Sequence, residues 1–137
     1  PIRIEVELPT AMAFSVDQDG KLSAGVYNIK NNSNVAVSIS VAAFRDSNSY
    51  GGITIIPKEQ TLEKLDRSNL HLDLVSNQDS IDLGKSITTP IKLLDLEASN
   101  NGTLRLIGEA GKEENSTVDN KGVSEKFSLV FEIKKKN

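Results

Sequence analysis

The chain has 137 residues, no cysteine, no tryptophan, a hydrophobic fraction of 37%, an aromatic fraction of 4% and a net charge of −3. That length sets a single domain, residues 1–137, whose core must rest on Ile, Leu and Val. The same numbers argue against a disulfide scaffold, a thiolate metal site, a cysteine nucleophile and the basic field that nucleic acid requires, and no run approaches the 18 apolar residues of a membrane span.

Pro1 rather than Met opens the chain, so the expectation is that a leader, a tag or the initiator Met was removed and that no signal peptide remains. Ile2, Ile4, Val6 and Leu8 alternate with Arg3, Glu5 and Glu7, the period-two pattern of a half-buried strand. Pro9 should break that strand or mark an edge or bulge. Met12, Phe14 and Val16 then share one face of a second strand. Asp17-Gln18-Asp19-Gly20 reads as a turn, because Asp-Gly tolerates positive φ. Leu22 to Lys30 reads as one continuous strand, and Asn31-Asn32-Ser33-Asn34 as a turn.

Val35 to Phe44 is the strongest strand, with Val35, Val37, Ile39, Val41 and Ala43 on one face and Ser38 and Ser40 on the other. Arg45 to Gly52 is a polar loop and Ile53 to Ile56 a short strand. Pro57 to Asp66 predicts a short helix, since Pro57 suits a first helical position and Leu62 and Leu65 are spaced i, i+3. Leu70, Leu72 and Leu74 alternate around His71 and Asp73. Ile81 to Leu83 is a short strand, and Ile87 to Leu96 is extended, with Pro90 indicating an edge. Asn100-Asn101-Gly102 predicts a hairpin into Thr103 to Glu109. Gly111 to Gly122 is a long polar loop, and Phe127, Leu129, Phe131 and Ile133 mark the last strand. Eight or nine strands, one short helix and no βαβ rhythm predict an all-β, antiparallel β-sandwich, either Ig-like or jelly-roll.

Candidate chemistry is sparse. His71, the single histidine, lies opposite the leucine face and so reads as a solvent-facing residue, with Asp73 a weak orienting partner. Asp17-Gln18-Asp19-Gly20 opens like a calcium loop but lacks the later ligands of one, and Asp79-Ser80-Ile81-Asp82 is weaker still. Glu5 and Glu7 stand about 7 Å apart on one strand face, a spacing glycosidases use, yet no tryptophan is present to line a sugar cleft. Asn31-Asn32-Ser33, Asn101-Gly102-Thr103 and Asn115-Ser116-Thr117 match the N-glycosylation pattern, as Asn-rich turns do by chance. Lys134, Lys135 and Lys136 read as a solvated end that also guards a terminal strand. These residues yield no catalytic, cofactor or metal assignment.

The run from Val26 to Val41, in which Ile29-Lys30-Asn31-Asn32-Ser33 turns into a Val-rich strand, resembles secreted β-sandwich domains of Gram-positive bacteria. The ending from Phe127 to Ile133 ahead of a lysine cluster is similar to their closing strand. The likeness is one of texture across most of the chain. Several such domains are fibre or pilus subunits, including the TasA/camelysin-like biofilm fibres. The resemblance implies an extracellular, cell-surface role, in a polymer joined by donated strands. The chain departs from that pattern in having no LPxTG signal beyond Leu8-Pro9-Thr10, and no lysine in its first strand for the isopeptide bond of covalently stapled pilins.

The expectation is therefore a non-enzymatic filament subunit. Residues 1–8 would be a donor strand, with Ile2, Ile4, Val6 and Leu8 as the subunit interface, and a second copy of the chain would be the head-to-tail partner. The competing expectation is that Ile2 to Leu8 is simply the first strand of its own sheet, in a monomeric adhesion or ligand-binding module whose site lies in Arg45 to Gly52 or Gly111 to Gly122 and takes a host or matrix ligand.

Overall fold

The computed structural model describes residues 1–9, 11–17, 19–46, 54–62, 69–111 and 123–137. These form eleven strands and, among the described residues, no helix: β1 (Val6–Glu7), β2 (Ala11–Val16), β3 (Leu22–Ala24), β4 (Val26–Asn31), β5 (Val37–Asp46), β6 (Thr54–Ile55), β7 (Asn69–Val75), β8 (Ser80–Asp82), β9 (Ile91–Leu96), β10 (Asn101–Ala110) and β11 (Val123–Lys135). One sheet runs β1-β4-β10-β7-β6, with β8 also on β7; the other runs β3-β2-β11-β5-β9. All pairings are antiparallel except β6 with β7, so the first sheet is mixed. The all-β expectation holds. The plain two-layer sandwich gives way to a mixed sheet curled as a half-barrel.

The two sheets are joined at one corner. Asp17 Oδ1 accepts from the backbone N–H of Asp19 and Lys21, each at 2.9 Å, which closes the predicted β2–β3 turn. Gly20 sits there at φ 81°, and its carbonyl accepts from Ala110 N–H at 3.0 Å, so the tip of the turn is bonded to the end of β10. A methyl on Gly20 would lie 2.5 Å from the Ala110 carbonyl oxygen, so both the φ and the close approach require glycine.

The core follows the aliphatic alternation. Met12, Phe14 and Val16 of β2, Val37, Ile39 and Val41 of β5, Leu70, Leu72 and Leu74 of β7, and Leu104 and Leu106 of β10 are all buried in one cluster that both sheets share. Leu93 and Leu94 are adjacent yet both fully buried, which strict alternation forbids. A register shift opposite Ile39 and Ser40 inserts Leu93 as an extra residue, and that bulge turns both side chains inward.

Three local expectations are corrected. Leu22 to Lys30 is two strands rather than one: the chain leaves the five-stranded sheet after Ala24 and enters the other at Val26. Asn100-Asn101-Gly102 is not a hairpin, because β9 and β10 lie in different sheets; the crossing is made by a turn in which Asn100 N–H donates to Glu97 O at 3.1 Å and Ser99 takes φ 65°. Residues 57–62 form a turn, with Gln60 N–H donating to Pro57 O at 2.9 Å, where a helix was expected; the rest of that expected helix, 63–66, lies outside the described residues. Outside them too lie most of the Arg45 to Gly52 loop and of the Gly111 to Gly122 loop.

Candidate functional site

Two places on the molecule merit the name of a site. The first is the amino-terminal segment. Only Val6 and Glu7 form ladder pairs, with Asn31 and Lys30 of β4. Ahead of them the segment is held by the Asn32 to Asn34 turn. Asn32 N–H donates to Glu5 O at 2.8 Å, and Glu5 N–H donates to Ser33 Oγ at 2.8 Å. Arg3 N–H donates to Asn34 Oδ1 at 2.9 Å, and Asn34 Nδ2 donates to Pro1 O at 2.9 Å. The backbone groups of Arg3 and Glu5 thus face the sheet, and by alternation those of Ile2 and Ile4 face away from it.

The four expected interface residues divide into two pairs. Val6 and Leu8 are half-buried and pack on the core, whereas Ile2 and Ile4 project from the edge at 57% and 44% exposure. Glu5 and Glu7 are exposed and carry ion pairs with Arg3 at 3.8 Å and Lys30 at 4.0 Å, contacts of small worth in water. Pro9 stands where the chain passes from the β1 sheet to the β2 sheet.

The turn that receives this segment is itself anchored. Asn31 is fully buried, and its Nδ2 lies 3.1 Å from each of the carbonyls of Val35, Leu96 and Glu97, while its Oδ1 accepts from Ser33 N–H at 3.0 Å. This amide ties the end of β4 to the end of β9. It also removes Asn31 from consideration as a glycosylation acceptor; Asn101 is exposed, and Asn115 lies outside the described residues.

The second place is a groove of about 490 Å³ on the outer face of the mixed sheet, lined by Lys58, His71, Asp73, Ile107, Gly108 and Glu109. Register brings these together: Glu109 pairs with His71, Ile107 with Asp73, and Asp73 with Asp82 of β8. The turn at 57–60 is strapped across β7. Asp82 Oδ2 accepts from Lys58 N–H at 3.0 Å, and His71 Nε2 lies 2.6 Å from Gln60 O, which makes that ring nitrogen the donor. His71 is therefore half-buried under a turn rather than solvent-facing as its alternation suggests.

Asp73 is 8% exposed. Its Oδ2 is ion-paired with the half-exposed Lys58 ammonium, and its Oδ1 is buried without a partner among the described residues. It is not the orienting partner of His71. The hydrogen bond to Asp73 raises the Lys58 pKa above 10.5 against a partial desolvation, and the charges of Asp73 and Asp82 add to the rise. A neighbouring opening, lined in part by Gln60, Thr61, Leu62 and Gly111, continues the groove. Sequence reasoning missed Lys58 and saw Asp82 only as part of a weak calcium-like motif, because only the β7–β8 pairing and the strap bring them to Asp73.

Among the described residues no group of three or more His, Asp or Glu is placed to hold a metal ion. Of the calcium-like motif, Asp17 Oδ1 is committed to its turn. No protein-family model, no curated protein and no solved structure matches this chain.

Proposed function

We propose that this chain is a non-enzymatic structural subunit of a bacterial surface filament, assembling when residues 1–8 leave their own sheet and complete that of the next copy. One observation carries the reading. The segment is attached by a two-residue ladder, polar bonds to the Asn32 to Asn34 turn and the half-buried Val6 and Leu8, while Ile2 and Ile4 stand exposed at the edge. In trans a neighbour's segment would make the same bonds to β4 and the Asn32 to Asn34 turn. The exchange therefore gains and loses similar contacts, and the balance is set by concentration. Pro9, with its fixed φ, is the hinge. A head-to-tail exchange whose rotation does not close on itself grows a fibre, here on the cell surface.

The test is deletion of residues 1–8, with negative-stain microscopy of the full chain alongside it. The expected results are fibres of short axial repeat from the full chain at high concentration, none from the shortened chain, and uptake of a synthetic Ile2 to Leu8 peptide by the shortened chain. A shortened chain that unfolds outright, beside a full chain that stays monomeric at every concentration, would overturn the reading.

A second reading, a monomeric surface module that binds a ligand, is favoured by the outer groove, whose floor contains a buried and half-satisfied carboxylate.

A further inference from the structure

We infer that the outer groove is a receptor for an arginine side chain of a partner polypeptide, which takes Asp73 by displacing Lys58. The inference is independent of strand donation; it rests on the second reading above and gives that reading a ligand class.

The geometry begins with an imbalance at Asp73. Asp73 is 8% exposed as a residue and 12% in its side chain; it lies on the outer face of β7, away from the leucine core, and lines the groove. One oxygen is paired with the Lys58 ammonium; the other has no partner among the described residues. A buried carboxylate oxygen without a donor is costly and uncommon in folded proteins. An ammonium on a flexible stem is a point charge that serves one oxygen here. A guanidinium is a planar fork whose parallel N–H groups match both oxygens of a carboxylate.

The resident lysine can give way. Its side chain is 55% exposed, whereas its backbone is fixed separately by the Asp82 carboxylate. The ammonium can therefore withdraw into water without disturbing the strap. Withdrawal leaves Asp73, Asp82 and Glu109 around the groove, a field that favours an incoming cation. Ile107, 45% exposed and in register with Asp73, offers an apolar bed for the methylenes of an arginine stem. Gly108 lines the groove with backbone alone, and a methyl there would overlap the His71 carbonyl, so β7 and β10 approach each other closely beneath it. The volume of about 490 Å³ lies within the roughly 300–1,000 Å³ usual for ligand sites.

The test is a titration of the isotope-labelled full chain, followed by the amide signals of Asp73, Asp82 and Gly108, with N-acetyl-arginine amide and N-acetyl-lysine amide as probes. Lys58→Ala removes the competing ammonium, so the arginine probe should bind that variant about tenfold more tightly than the parent. The lysine probe should bind it several-fold more weakly than the arginine probe. Lys58→Ala combined with Asp73→Asn should bind neither. Lys58→Met keeps the apolar stem and serves the same purpose if Lys58→Ala does not fold. Equal affinity of the arginine probe for parent and variant, or binding that survives Asp73→Asn, overturns the inference. Equal binding of the two probes overturns the arginine assignment and leaves a general cation groove. Absence of binding by either probe removes the groove reading as well.

Discussion

At the scale of single residues, two polar side chains hold more of this fold than their number suggests. Asn31 is fully buried and offers its amide N–H groups to three carbonyls from two separate stretches of chain, at Val35 and at Leu96 and Glu97. Truncation leaves those carbonyls short of a donor, the Leu96 carbonyl in a buried place. Asn31→Ala should cost roughly 2–3 kcal/mol in urea unfolding. Asn31→Asp should cost more, because a carboxylate of the same shape turns lone pairs toward the same oxygens. The second residue is Asp95, which accepts from Ser38 Oγ at 2.6 Å and pairs with Lys92 at 2.7 Å and Lys136 at 3.9 Å. Burial pushes its pKa up, but the hydrogen bonds from Lys92 and Ser38, together with the charges of Lys92 and Lys136, outweigh burial and leave it below the ordinary 3.8. A carboxyl whose folded pKa is lowered stabilises the fold above its unfolded pKa, and that contribution disappears as pH falls through the folded value. Stability should therefore drop below about pH 4. Asp95→Asn should be less stable than the parent at pH 7 and should lose less between pH 7 and pH 3, measured by urea unfolding at both.

At the scale of elements, the edges of the sheets are treated unequally. β9 is an edge strand, as Pro90 beside it foretells, and its outward backbone is capped by side chains from the β7–β8 turn. Gln78 bonds both the N–H and the C=O of Asp95 at 2.9 Å, and Ser76 Oγ donates to Leu93 O at 2.8 Å. An edge closed in this way cannot template a foreign strand. Replacing Ser76 and Gln78 together by Ala should reopen it, and sedimentation velocity should then show association beyond that of the parent at equal concentration. The strands themselves were legible because Val37, Ile39 and Val41, or Leu70, Leu72 and Leu74, repeat with period two and all end in the core. Period two says nothing about which sheet a strand joins. That is why the break between Ala24 and Val26 and the crossing at Asn100 were read as one strand and as a hairpin. The turn at 57–60 was read as helix for a related reason: Pro57 and the leucine spacing are local signals, while the bonds to Asp82 and His71 that fix the strap come from elsewhere in the chain. Asp73 was visible as a residue opposite a leucine face, but its burial depends on the strap and so was not.

At the scale of the whole molecule, the question is whether residues 1–8 are held by their own copy or by another, and the chain offers a clean way to decide. It contains no cysteine, so an introduced pair has no native thiol to compete with. Glu7 and Lys30 are register partners across the β1–β4 ladder, and both are exposed, so replacing them leaves the core untouched. Antiparallel partners have Cα atoms about 4.5–5.5 Å apart, within the range a disulfide spans. Glu7→Cys with Lys30→Cys, oxidised in dilute solution, should lock the segment in cis, and the locked protein should stay monomeric where the parent forms fibres. Reduction should restore assembly. Oxidation after assembly, in contrast, should link each copy to the next and give a ladder of covalent multimers on a denaturing, non-reducing gel. If strand donation is the joint, the same two cysteines must give a monomer in the first order of steps and a ladder in the second. A protein that yields only closed monomers in both orders keeps its first strand to itself, and the outer groove then becomes the surface to pursue.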